Sequence, residues 1–382
     1  MKRLNSYIAL PTLLCIGLTT ACGQILSVHG QVSGWTSLNP DNAQVAQSGL
    51  RYVPELSIGK GLDNDLSADI DLSLNGVGSA SSVKNQHPEY EGSIKPYRAS
   101  FRLSSNRFEI RAGLQKINFG SATLFRPLMW FDRVDPRDPL QLTDGVYALL
   151  ARYYFADNAN VWLWGLYGNN ETKGWEIVPT PKRTVEYGGR LQIPASTGEI
   201  GVTYHHRVAN LAGLPGFPVG RMADQIPENR YALDGKWDVG VGVWFEAVLV
   251  HQQTEFPGLK YQLQWTVGAD YTFDVGNGLD ILTEYFRSEN PANAFGPATG
   301  IGFSAWSLNY PLGLVDRISG ILYRDWTNRE WYRFASWQRT YDDWALYFIG
   351  FWNPDILQLN GNQGVGSTFA GKGIQLMVVF NH

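Results

Sequence analysis

From Leu66 to Asn75 the chain alternates apolar and polar residues without interruption. Leu66, Ala68, Ile70, Leu72 and Leu74 fall on one face of an extended strand, and Ser67, Asp69, Asp71 and Ser73 on the other. The same two-residue beat recurs to the C-terminus. It predicts strands over residues 25–35, 49–58, 66–75, 96–103 and 108–117, then 145–155, 161–167, 184–193 and 200–207. The second half adds 231–237, 241–252, 261–273 and 279–286, followed by 302–310, 317–324, 331–339, 344–352 and 373–380. Residues 261–273 are the clearest case: seven apolar residues face one way, and Gln262, Gln264, Thr266 and Asp270 the other.

The connections carry more information than the strands. Residues 104–107, 156–160, 194–198, 274–278 and 341–343 are short turns rich in Asn, Asp, Ser and Gly. Between them lie longer segments at 76–95, 118–144, 168–183, 208–230, 287–301 and 353–372. Short turns at one end and long loops at the other define a transmembrane up-and-down antiparallel β-barrel, lipid outside and water within. The fold class is therefore all-β, with about 18 strands, or 16 if one hairpin does not form. Tyr153, Tyr154 and Phe155 before a turn, with Trp162 and Trp164 after it, are expected in an interfacial aromatic girdle. A two-sheet sandwich would also use aromatic residues, but strict alternation over this length favours the barrel. The beat weakens over residues 306–352, where six of the 14 tryptophans occur on both faces, so that wall is expected to pack against a loop or a neighbouring protomer.

The N-terminus changes the compartment. Lys2 and Arg3 precede an apolar core over residues 8–18, and Ala21-Cys22-Gly23 supplies small residues for cleavage before Gln24. Residues 1–23 read as a signal peptide and 24–382 as the barrel; a loose lipobox leaves open that Cys22 is instead the lipidated first residue. Both cysteines, Cys15 and Cys22, lie in this segment, so cleavage after Gly23 excludes disulfides and thiolate metal sites. No later run of 18 residues is apolar enough for a membrane helix. Charged residues are only 17% of the chain, below the usual quarter for soluble enzymes. The net charge of -4 argues against a nucleic-acid partner.

Two groups of residues are candidates for function. Asp69 and Asp71, then Arg98 and Arg102, then Glu109, Arg111 and Gln115 fall on the polar face of successive strands and would line a lumen. They select solutes by charge, or they pair across strands and merely keep the wall polar. The loop between Asn118 and Asp144 carries Arg126, Arg133 and Arg137 beside Asp132, Asp135 and Asp138, with three prolines among them. Folded inward, it would constrict the channel and set a transverse field; left outside, it would be a cap held by its own ion pairs. Catalytic constellations are absent: there is no G-x-S-x-G, no H-E-x-x-H and no phosphate loop, and adjacent His205 and His206 point to opposite faces. No cofactor or metal is implied.

The organisation of the whole mature chain resembles that of the Gram-negative outer-membrane porins. Arg111-x-Gly113-x-Gln115, followed by Gly120, also resembles a strand recurring in porin-like and alginate-export-like barrels. The resemblance implies passive diffusion of small hydrophilic solutes, contact with outer-membrane lipid, and a homotrimer. A dedicated channel or exporter for a polymer such as polysaccharide is the alternative, and an outer-membrane enzyme a third. One departure is the C-terminus, where Phe380 is followed by Asn381-His382 rather than standing last.

Overall fold

The computed structural model describes residues 24–62, 65–212, 225–254, 258–354 and 369–382. The expected signal peptide lies outside them. The chain forms β1 (Gln24–Leu38), β2 (Gln44–Gly61), β3 (Ser67–Val83), β4 (Glu89–Ser104), β5 (Phe108–Gln115) and β6 (Val146–Tyr154). It continues through β7 (Asn160–Tyr167), β8 (Val185–Ala195), β9 (Gly198–Asn210), β10 (Gln225–Asp238), β11 (Gly242–Gln252) and β12 (Tyr261–Phe273). The last third is β13 (Leu279–Glu289), β14 (Gly300–Pro311), β15 (Asp316–Asp325), β16 (Trp331–Thr340), β17 (Trp344–Trp352) and β18 (Lys372–Asn381). Every strand pairs antiparallel with its sequence neighbours, and β1 pairs with both β2 and β18, closing an 18-stranded barrel. Closure leaves no sheet edge whose backbone groups lack partners, which is what a strand protein in hydrocarbon requires.

Alternation holds through the barrel. Leu149, Leu163, Val202, Val267, Phe348 and Leu376 are exposed on the outside, while their neighbours Leu150, Trp164, Thr203 and Thr266 are buried within. Ile70, Leu72 and Leu74 likewise face outward. Phe380 occupies β18 opposite Val32 and packs 4.5 Å from Trp344, and backbone bonds between His382 and Gly30 close the seam.

Two expectations are corrected. Residues 76–95 are not a loop: β3 and β4 run on to Val83 and from Glu89, leaving a connection of residues 84–88. The β3 part of that extension is Gly- and Ser-rich and lacks an apolar face; β2, β3 and β4, at 18, 17 and 16 residues, run well past β5 and β7 at 8. Trp162 and Trp164 do not join an outer girdle with exposed Tyr153, Tyr154 and Phe155. They face inward, opposite Arg152 and Leu150, and the Arg152 guanidinium sits 3.7 Å from the Trp162 ring.

The interior is a packed core rather than a plain wall. One cluster joins Ala122, Leu124 and Phe125 of the β5–β6 loop to Phe286, Phe303, Tyr323, Tyr332, Phe334 and Phe351. A second joins Ile117, Phe119, Leu128, Trp130 and Phe131 to inward residues of β6, β7, β10 and β11. The inner face of this wall therefore packs against a loop, but its tryptophans do not occur on both faces: Trp331, Trp344 and Trp352 are exposed outside, and Trp306 and Trp337 share their outward register.

Candidate functional site

Residues 116–145 leave β5 and cross the barrel. The crossing starts at a motif with two glycines. Gly113 (φ 113°) and Gly120 (φ 93°) adopt backbone that side chains disfavour. A Cβ on Gly120 would lie 2.3 Å from Glu246 Oε1, so glycine lets the loop approach that carboxylate. Gln115 is buried, and its side-chain amide donates to the carbonyls of Arg111 (3.1 Å) and Ala148 (2.9 Å), latching the strand end where the loop departs.

Two carboxylates on the far wall hold the loop. Glu246 on β11 accepts from the backbone N–H groups of Ala122 (2.8 Å) and Leu128 (3.0 Å). Glu284 on β13 accepts from Thr123 (2.7 Å), Leu124 (2.9 Å) and Phe125 (2.7 Å), and from the Trp244 indole (3.1 Å). Thr266 on β12 donates to the Phe125 carbonyl at 2.8 Å. A loop that departs β5 thus docks on β13, eight strands round a barrel of 18. Both carboxylates are buried, and each of these hydrogen bonds is worth about 1 kcal/mol net. Phe125 completes the anchor, stacked 5.2 Å from Phe286.

Beside this anchor lies a buried ionic network on β8, β9 and β10. Arg190 holds Asp234 through two bonds of 2.6 and 2.7 Å, and Arg207 holds Glu228 through bonds of 2.6 and 2.9 Å. Arg230 bridges Glu228 and Glu176, and Lys173 reaches Glu186 at 2.8 Å. Glu176 and Lys173 belong to the β7–β8 loop, so the network ties a second loop to the wall. His205 is fully buried between Glu186 and the Trp164 indole; His206 faces outward to Asn229.

Of the loop charges expected to act together, four are engaged in pairs. Arg126 meets Asp132 at 3.0 Å and also binds Asn118; Arg137 clasps Asp135 at 2.7 and 2.6 Å. Burial opposes the charge of Arg137, but the attached Asp135 carboxylate outweighs it and raises the guanidinium pKa further. Arg133 is bonded to Thr172. Asp138 accepts from Leu140 N–H (3.0 Å), and burial, opposed by that bond and by Arg51, pushes its carboxyl above the ordinary range.

The wall residues separate similarly. Asp69 and Arg102 are opposed in register and bonded at 3.0 Å; Asp71 accepts from Ser57 at 2.8 Å. Glu109 is shared by Arg111 (3.2 Å) and Arg152 (3.4 Å). Arg98 follows the β4 bulge and binds the Thr143 carbonyl at 3.0 Å, securing the far end of the loop. Sequence reasoning missed Arg51. It faces the lumen from β2, 5.6 Å from the Trp35 ring, and makes no ion pair among the described residues.

Open space lies on the β1–β4 side of the loop. A cavity of about 440 Å³ runs between Lys95, Asn75, Arg133, Thr143 and the start of the β7–β8 loop. Another of about 760 Å³ runs between Trp35, Gln47, Ser79, Glu91, Gln375 and Phe369. Among the described residues, Arg51 and Asp138 alone line both.

A closed 18-strand antiparallel barrel crossed by an inward-folded loop after its fifth strand has the fold of the outer-membrane porins. The backbone is similar to that of OccD3 (OpdP) of Pseudomonas aeruginosa, at TM-score 0.59 and 10% identity, covering 95% of this chain and 93% of that one. It is similar to OccAB1 of Acinetobacter baumannii, at TM-score 0.58 and 9% identity, covering 94% and 95%. OmpT, an outer membrane protein of Vibrio cholerae in its trimer form, aligns at TM-score 0.50 and 11% identity over 94% and 100%. At these identities the likeness is one of fold. No protein-family model matches the sequence, and no curated protein matches it either.

Proposed function

We propose that this chain is an outer-membrane channel passing small hydrophilic solutes by passive diffusion, narrowed by residues 116–145. The observation that carries the reading is the meeting of the two cavities at Arg51 and Asp138, opposite charges on wall and loop. Solutes cross between the loop and the β1–β4 wall, past Arg51, Asp138 and the Asp69, Arg102, Glu109, Arg111 polar face. The constriction reading shifts accordingly from Arg126, Asp132, Asp135 and Arg137, which neutralise one another, to the pair across the gap.

The polymer-exporter reading loses its main support, because the aromatic inner wall of β13–β17 is covered by the loop and offers no ring faces to a sugar chain. The proposal assigns no chemistry to His205, whose ring lies between Glu186 and Trp164. A homotrimer belongs to the proposal, on the likeness to the trimeric V. cholerae protein, and sedimentation in detergent tests it.

Planar-bilayer conductance together with liposome swelling by sugars of graded size tests the channel. We expect ohmic current and swelling that falls with sugar size. Arg51→Ala should move the reversal potential toward cation preference. No swelling at any size means a closed barrel, and an unchanged potential removes Arg51 from the path.

A further inference from the structure

The outer surface of β14–β18 departs from the apolar band near the loop end. Trp306, Leu322, Arg333, Trp352 and Lys372 stand opposite one another on five consecutive strands. Nearer the loops, Ser304, Arg324 and Trp331 form a second row. Trp326, from the β15–β16 turn, folds over that row, its indole donating to Ser304 Oγ at 2.9 Å. The Arg324 guanidinium lies 5.6 Å from the Trp326 ring and 5.2 Å from Trp331, and Arg333 lies 5.9 Å from Trp331.

Arg324, Arg333 and Lys372 make no ion pair among the described residues; one Arg324 nitrogen donates to the Arg329 carbonyl at 2.7 Å, which leaves its charge unneutralised. Two other outward charges on neighbouring strands are matched: Arg287 binds Glu289, and Arg339 faces Asp316. The nearest acids do not substitute. Asp325 is buried and held by Thr327 and Asn328, and Glu330 is exposed in the turn. Immediately toward the membrane centre, Gly320, Ala335 and Gly350 stand side by side between Leu308 and Ile374. They form a shallow groove, and packing does not demand it: a Cβ on Gly350 would meet nothing within 4 Å.

A cation beside hydrocarbon is costly unless an anion accompanies it, and indole rings prefer the headgroup level. Guanidinium groups match phosphate oxygens in charge and fork geometry. We propose that this surface binds a phosphate-bearing lipid of the surrounding leaflet. The phosphate lies among Arg324, Arg333 and Lys372, and an acyl chain follows Gly320, Ala335 and Gly350. The site rests on the reading that the barrel spans a membrane, but not on its conducting.

The test uses purified protein in detergent, native mass spectrometry, and bisphosphorylated lipid A against phosphatidylcholine and inorganic phosphate. Wild type should retain lipid A selectively. The triple variant R324Q/R333Q/K372Q should weaken that binding at least about tenfold, as expected when charge-assisted phosphate contacts are lost. Gly350→Phe, which fills the groove and leaves the charges, should weaken it as well. Equal retention of phosphatidylcholine, an unaffected triple variant, or complete displacement by inorganic phosphate would overturn the proposal. So would a dimer of wild type that the triple variant abolishes, since that assigns the surface to a second copy. Conductance of the same samples separates this from the channel reading: a silent wild type that still binds lipid A defeats only the latter.

Discussion

Glu284→Ala tests whether the crossing loop is held by its carboxylate anchors. The substitution deletes the acceptor of four donors: the N–H groups of Thr123, Leu124 and Phe125 and the Trp244 indole. The Trp244 bond lies within the wall and does not depend on docking, so at a net of about 1 kcal/mol per bond the three loop N–H groups cost the docked loop about 3 kcal/mol relative to a released one in which water satisfies them. Because 1.4 kcal/mol is a factor of ten, the ratio of docked to released loop falls by about two orders of magnitude. The Glu246 bonds, the Thr266 bond and the Phe125 stack remain, so the barrel should still assemble. Single-channel recording is the assay. Wild type should give a steady unitary current, and Glu284→Ala should show excursions to higher conductance with altered ion selectivity. Variant protein that retains heat-modifiable gel migration yet gives the same unitary conductance and dwell times would refute the anchoring argument.

Three further predictions concern the same pore and its wall. Gly120→Ala forces a side chain into left-handed backbone beside Glu246, a strain of about 1–3 kcal/mol, and should give current excursions of the kind expected of Glu284→Ala. Asp138 has its pKa raised, so on acidification it loses its negative charge before ordinary carboxyls do and leaves Arg51 unopposed. Reversal potentials should move toward anion preference as pH falls, and Asp138→Asn should abolish that early component; an identical pH profile in the variant refutes it. Leu163→Arg places a cation on the lipid-facing side of β7 and should destabilise the barrel by about 2–4 kcal/mol if it lies near the bilayer midplane, read as a lower urea midpoint in vesicles.

Much of the architecture was readable in the alternation, because a strand with lipid on one side and a lumen on the other displays its two environments in every pair of residues. Leu66–Asn75 is such a case. The beat fails where neither face meets lipid, which is why the Gly/Ser-rich run after Asn75 looked like a loop although it extends β3. It also fails to distinguish which aromatic faces inward, as at Trp162 and Trp164. The crossing loop was recognisable from its length and charge, but its partners were not. Glu246 is the one acid of β11 and Glu284 the middle of three acids in β13, each more than a hundred residues from the N–H groups it accepts from. Their only local signal is a carboxylate at an inward position of a mostly hydrophobic strand, shared with Glu186 and Glu228. Arg51 was missed because its counterpart, Asp138, reaches it only through the fold.

The anchors and the opening occupy different strands. Glu246, Thr266 and Glu284 hold the loop from β11, β12 and β13, whereas these two cavities border β18 and β1 through β6. Substitutions on the second group can therefore retune which solutes pass without loosening the first, and drift in the first is constrained however often the diet of the cell changes. Such a barrel can diversify on one side while its hinge post stays still.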